Sequence, residues 1–250
     1  MPPSTSRQKT FTMLLGTALV MAIALWSAYW VVARGSAEDR LAEVRETLRQ
    51  SGTRIDCGTE HWGGFPFRIA LTCMPLILTI SAASSPVTID FSRIDLLAQA
   101  YDLDHVIAVP ASPVNVKLTG NALTFRYQKA AASFEESVAA GSRLIRIIAA
   151  ADGLNADVPF LRDHPLAALS LKGALSTGPL VLVIDQLELR AQEIGVHGSG
   201  RVALDESHRL NGRLKLSVDR LDLLLADLGR AGLLSEKESA GASLLDLLGS

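Results

Sequence analysis

Little in this sequence points to chemistry. Aromatic residues make up only 5% of the 250 positions, too few for a base-stacking surface. Neither sign of charge dominates: 24 Lys and Arg face 26 Asp and Glu, a formal net charge of −2. That balance excludes a strongly basic nucleic-acid binder and an acidic tail protein. Two cysteines cannot build a disulfide-dense scaffold. There is no HExxH, GxSxG, Walker loop or EF-hand, and the five histidines (His61, His105, His164, His197, His208) are scattered where a zinc site needs ligands that converge. Glu60-His61 with Asp56 nearby is the one local group suited to acid/base or metal work, and an ordinary polar surface explains it as well. Gly198 to Ala203 matches GxGxxA, but the dinucleotide motif ends a strand and opens a helix, whereas here alternating Val202 and Leu204 follow. The glycines suit a bulge or close backbone packing instead. No catalytic residue, metal ligand or cofactor is assigned, and a non-enzymatic protein is expected.

Apolar residues are abundant, at 48% with a mean hydropathy of +0.26, too many for a disordered chain. Phe11 to Val32 runs for 22 residues without a charge. At about 1.5 Å per residue that length crosses a hydrocarbon core of roughly 30 Å. Arg7 and Lys9 precede the run and no acid occurs before Glu38, so the N-terminal flank is expected in the cytoplasm and the bulk outside. Trp26, Tyr29 and Trp30 cluster at the outer end, where amphipathic rings favour the headgroup layer. A cleaved signal peptide is the rival reading, but its apolar stretch is shorter and ends in small residues. A buried core helix fits less well, since no polar stripe interrupts the run.

Organisation along the chain follows from the spacing of apolar residues. Residues 1–10 form a cytoplasmic tail, 11–32 the anchor, 33–52 a helical stalk and 53–250 an exported β-rich domain. In the stalk, Ala37 to Ser51, Leu41, Val44 and Leu48 share one face; Ser36 can cap its start and Gly52 can end it. From Phe67 the pattern alternates, with Phe67, Ile69, Leu71 and Cys73 on one face and Arg68, Ala70 and Thr72 on the other, as in a strand. Further strand signals are Leu76–Ile80, Val87–Phe91, Val106–Lys117 (with Pro110 and Pro113 at edge or bulge positions), Leu123–Tyr127, Leu144–Ala150, Leu166–Leu175 and Leu180–Arg190. Ile194 to Val218 reads as a hairpin turning at Asp205-Glu206-Ser207-His208. Asp219 then caps a helix carrying Leu221, Leu224, Leu225 and Leu228, and Ser243–Leu248 is a second leucine-rich segment. No regular strand–helix alternation appears, which excludes a doubly wound fold.

Two strands joined across Gly63-Gly64 bring Cys57 near Cys73. A metal or redox pair is possible inside the cytoplasm, but outside it a structural disulfide is the natural reading. The turn between them, Phe65, Pro66, Phe67 and Arg68, is the candidate binding segment. By parity Phe65 and Phe67 should face the core. Arg68 should face away, available to a carboxylate or a lipid phosphate.

The stretch from Cys57 to Cys73, with GFPFR at Gly64 to Arg68, resembles the signature of a bacterial family, domain of unknown function 2125. That resemblance implies a single N-terminal anchor in the bacterial inner membrane and a β-rich body in the periplasm. The segment from Leu182 to Leu228 also resembles the closing repeats of AsmA-type envelope proteins, in the way Gly200 and Gly212 open paired strands. This second resemblance implies a long curved sheet with an apolar inner face and an association with lipid handling.

The expected fold is therefore mainly β with short helices: a transmembrane helix followed by an elongated, curved antiparallel sheet. The expected partners are the membrane, crossed once, and lipid or another envelope protein held in an apolar groove, with no nucleic acid. A protein–protein scaffold using the Ala37–Ser51 helix and the C-terminal leucine segments is the alternative. A hydrolase using Glu60 or His61 is the third.

Overall fold

The computed structural model describes residues 5–50, 52–81, 86–118, 121–139, 142–157, 166–177, 180–204 and 210–230. Helix α1 (Thr5–Gln50) is followed by β1 (Thr53–Gly63), β2 (Arg68–Ser81), β3 (Pro86–Phe91), β4 (Ile94–Gln99), β5 (Asp102–Pro110), β6 (Val114–Leu118) and β7 (Asn121–Arg126). Then come β8 (Lys129–Ala139), β9 (Ser142–Ala156), β10 (Leu166–Thr177), β11 (Leu180–Ala191), β12 (Ile194–Leu204), β13 (Leu210–Asp219) and a short helix, α2 (Leu221–Arg230). The chain is mostly antiparallel sheet, with a long apolar helix at one end and a short helix at the other. The turn expected at Asp205–His208 and the segment Ser243–Leu248 lie outside the described residues.

α1 is one continuous helix of 46 residues. The boundary expected at Ser36 does not exist. A glycine inside a helix costs only about 1 kcal/mol relative to alanine, so Gly35 does not break it. Ser36 is not a cap: its Oγ donates back to Val32 O at 3.2 Å. The residues that follow, rich in Ala, Leu, Glu and Arg, are good helix formers. The helix stops at Gln50, just before Gly52, as expected.

The described strands form one sheet of 13 strands. β10 to β13 are a plain meander, each strand pairing with the next. The other end forks. β1 occupies one edge of β2 along nearly its whole length, from Thr53 opposite Ile80 to Gly63 opposite Ala70. On the remaining edge, Arg68–Cys73 of β2 pairs with β4 and Leu76–Ser81 pairs with β3. The fork falls at Pro75, which has no N–H to give to a ladder. One branch runs β2–β3–β6–β7–β9 and the other β2–β4–β5–β8–β9, and both rejoin on β9. Two of these strands, β4 and β8, carry no sequence signal recognised above: IDLLAQ has helical spacing and KAAASFEESVA is rich in alanine, a poor strand former.

Burial follows the alternation of β2. Ile69, Leu71 and Cys73 are almost wholly buried, while Arg68 is exposed. Leu71 and Cys73 join Ile94 and Ala108 in one cluster, against which Leu41, Trp62 and Phe134 pack. Ile69 joins Ala33 and Ala100 in a second cluster, bordered by Trp30, Ala37, Trp62 and Leu103. α1 therefore contributes to both clusters, and its C-terminal half lies on the sheet. Arg45 Nη2 donates to Glu60 Oε1 at 2.5 Å, and the Arg34 guanidinium sits 5.9 Å from the Trp62 ring centre.

Candidate functional site

Two features surround α1 where it leaves its apolar segment. The first is an aromatic collar. Trp26 Nε1 donates to Pro66 O at 2.9 Å, Trp30 Nε1 donates to Arg68 O at 2.9 Å, and Tyr29 Oη donates to Ala100 O at 3.0 Å. The ring centres of Trp26 and Phe67 are 5.7 Å apart, and those of Trp30 and Phe65 are 5.6 Å apart, edge to face. Three hydrogen bonds thus tie the β1–β2 turn, the start of β2 and the β4–β5 turn to the helix. The sequence marks the three aromatic rings as interfacial, but it gives no sign that each holds a backbone carbonyl far along the chain.

The structure corrects the expected orientation of the GFPFR segment. Phe65 is 55% exposed and Phe67 62%, so neither faces the core. Residues 65–67 form a turn, and β2 begins at Arg68, so the parity of Ile69 and Leu71 does not extend back to Phe67. Arg68 N donates to Gly64 O at 3.0 Å to close the turn. Gly64 has φ +99°, and a Cβ there would lie 2.6 Å from Arg68 O, so only glycine fits. The Phe65–Pro66 peptide is cis. Arg68 is exposed on the side opposite Ile69, as its parity requires. Tyr101, which the sequence reading passed over, is 66% exposed in the turn beside Ala100. The only signal that could have found it is an aromatic residue in a polar turn.

The second feature is a groove of about 330 Å³ between α1 and the branch β2–β4–β5–β8. Ala37, Leu41 and Val44 of α1 form one wall, and Leu96, Leu103, Val106, Phe134 and Ile145 form the other. Its volume lies in the range of small-molecule sites, and its lining is mostly apolar. Arg40, Asp104 and Glu136 are the charged residues at its rim. Arg40 Nη1 donates to Asp104 Oδ1, and this bond, opposed by partial burial, raises the pKa of the guanidinium further. The stripe Leu41–Val44 is visible in the sequence. The opposite wall is visible only in part: Val106 and Ile145 fall in recognised strand signals, whereas Leu96 and Phe134 lie on β4 and β8.

The other sequence candidates do not gather at one place. Cys57 and Cys73 lie at disulfide distance, with Cα atoms 5.4 Å apart; Cys73 is in the first core cluster and Cys57 packs against it. Glu60 is engaged by Arg45 and Asp56 by Arg54 at 2.9 Å, farther along β1. Among the described residues no three His, Cys, Asp or Glu side chains stand close enough to hold a metal. Gly198 and Gly200 lie inside β12, and a Cβ at Gly200 would sit 2.2 Å from Arg213 O; close packing of strands explains them. Asp219 does not cap α2: its Oδ2 meets His197 Nε2 at 3.1 Å. A second concavity of about 390 Å³ beside this pair is lined by a mixture of apolar and polar groups, Asp152, Glu188 and Arg190 among the latter.

The apolar part of α1 is long and apolar enough to cross a membrane, and its most apolar 18-residue stretch is not buried by the rest of the protein. The family described as an uncharacterized protein conserved in bacteria, domain of unknown function DUF2125, matches residues 30–157 and 145–249, and the chain belongs to it. No curated protein and no solved structure matches the chain. The likeness of the C-terminal hairpins to AsmA-type repeats finds no support in these comparisons.

Proposed function

We propose, for this member of the family, a non-enzymatic role: an inner-membrane protein, crossing once with its N-terminus in the cytoplasm, whose periplasmic β-rich body holds the acyl chain of a lipid in the groove beside α1. The groove carries this reading. It is apolar, it is of ligand size, and its helical wall is the continuation of the membrane helix itself. Ala37 stands about 10 Å above Trp30 along the helix and Val44 about 20 Å above it, so an acyl chain leaving the bilayer has a short path to the groove.

Several observations support the anchor. Side chains such as Leu14, Leu19, Val20 and Leu25 are more than half exposed, a large apolar surface that water would not tolerate. Cleavage as a signal peptide near residue 30 would remove Trp26, Tyr29 and Trp30, whose hydrogen bonds hold two turns of the sheet. A disulfide between Cys57 and Cys73 suits an oxidising compartment. Arg7 and Lys9 before the span favour a cytoplasmic N-terminus.

Native mass spectrometry of the detergent-extracted full-length protein tests the reading. Wild type should carry a lipid adduct, and Val44→Trp should lose it by filling the groove from its exposed wall. A wild-type spectrum without lipid, or an undiminished adduct on a folded Val44→Trp, would sink the proposal. A stoichiometric protein partner in place of lipid would favour the scaffold role.

A further inference from the structure

We infer that the β1–β2 turn, with Phe65, Pro66 and Phe67, and the neighbouring Tyr101 dip into the outer-leaflet interface of the membrane that α1 spans, so that the sheet is docked on the bilayer and not held away from it on a stalk. The inference rests on the anchor reading alone and does not need the groove.

Helix geometry sets the depth. From Phe11 to Trp30 α1 rises about 29 Å, which matches a hydrocarbon core of roughly 30 Å. Trp30 then lies at the outer boundary of the hydrocarbon, and Trp26, one turn earlier, lies about 6 Å deeper. The turn is fixed to these two levels. Pro66 O accepts the Trp26 indole N–H and the Phe67 ring lies against Trp26, so Pro66 and Phe67 stand at the deeper level. Arg68 O accepts the Trp30 indole N–H, which puts Arg68 one turn higher, at the hydrocarbon boundary just below the phosphates. Ala100 O is held by Tyr29, between the two, and Tyr101 follows it.

The chemistry of the residues agrees with that depth. Phe65, Phe67 and Tyr101 are all more than half exposed, although their neighbours Ile69 and Ala100 are almost wholly buried. Three exposed aromatic rings on two adjacent turns form a patch that is costly in water. In the headgroup layer it is favourable, because aromatic rings concentrate there. Arg68 has the length and charge to reach lipid phosphate while its backbone remains in the ladder with β4. Irregular backbone in a hydrocarbon environment is tolerated only where its polar groups are satisfied. The indole N–H bond to Pro66 O supplies this at the deepest residue.

The test uses the full-length protein in nanodiscs of phosphatidylethanolamine and phosphatidylglycerol, with a nitroxide on one introduced cysteine at a time. Cys57 and Cys73 are joined and take no label. Phe67→Cys and Tyr101→Cys report the turns, and Leu19→Cys reports the span. Thr47→Cys, exposed on α1 about 25 Å above Trp30, reports water. Labels at 67 and 101 should collide more often with oxygen than with a water-soluble nickel chelate, as the label at 19 does, and the label at 47 should show the reverse. If 67 and 101 behave like 47 while 19 stays in lipid, the docking inference falls and the anchor stands. If 19 is also in water, both fall. Should Phe67→Cys misfold, Tyr101→Cys decides alone.

Discussion

Replacing Ile69 by alanine and, separately, Phe67 by alanine measures which of two neighbouring apolar residues is in the core. Both carry the same sequence signal, two positions apart in an alternating run. Ile69 is 3% exposed and packs with Ala33 and Ala100, one from the helix and one from the β4–β5 turn. Truncating it removes three carbons from a site clamped on two sides, where collapse is limited, and should cost about 3 kcal/mol, within the usual range for such changes. Phe67 is 62% exposed and its described ring contact is with Trp26, at 5.7 Å. The loss of one aromatic pair is worth about 1 kcal/mol. Urea unfolding in mild detergent, followed by the far-ultraviolet strand signal, gives both numbers, since a shift in midpoint at constant slope reports stability alone. A Phe67→Ala penalty equal to or larger than that of Ile69→Ala would refute the assignment and return Phe67 to the core.

Two further outcomes follow from the same geometry. Removing both cysteines as Cys57→Ala/Cys73→Ala should lower stability by about 3 kcal/mol, the chain-entropy value for a loop of this size, and the native protein should take up a thiol reagent only after reduction; ready labelling without reductant would count against the bond. Asp95 behaves differently with pH. Partial burial pushes its pKa up, but hydrogen bonds from Thr72 at 2.5 Å and from Arg93 outweigh this and hold the carboxyl below its usual range. A carboxyl depressed in the folded state adds stability that is complete above its unfolded pKa of about 4 and is lost as pH falls through the lower folded value. Asp95→Asn should therefore be less stable than wild type at pH 7, with the gap closing in strong acid; a gap that is constant with pH would contradict it.

How much of this was legible in the sequence depended on the kind of signal. The long apolar run and its aromatic end were plain, because 22 residues without a charge stand out from the rest of the chain. Strands with branched side chains and clean alternation, such as β2 and β11, were found. β4 and β8 were not, since their Leu, Ala and Glu content carries no strand preference; cross-strand partners on β2, β5 and β9 make them strands. This is tertiary context overriding local propensity, and it hid the part of the groove wall that carries Leu96 and Phe134. The error at Phe67 has a different cause. Alternation was extended one pair too far, into a turn where the period of two no longer applies. The helix boundary at Ser36 failed because a serine within a helix can satisfy its hydroxyl on the preceding turn, so a capping residue by itself does not fix a start.

The continuity of α1 through Gly35 and Ser36 gives these features a common geometry. Trp26, Trp30, Ala33, Ala37, Leu41 and Val44 are spaced by four or three residues and so fall on one face of a single helix. In order along that face, the first two hold the turns of the collar, the next two pack on Ile69 and Ala100, and the last stretch walls the groove. With a break at Ser36, the two halves would turn independently and the stripe would have no fixed relation to the apolar segment. Unbroken, it sets the height and the rotation of the sheet together, because each further residue adds about 1.5 Å of rise and about 100° of turn. The same face that carries the aromatic belt must then face the apolar groove. One helix thereby determines which side of the sheet its groove lies on and, under the proposed docking, where the sheet meets the bilayer.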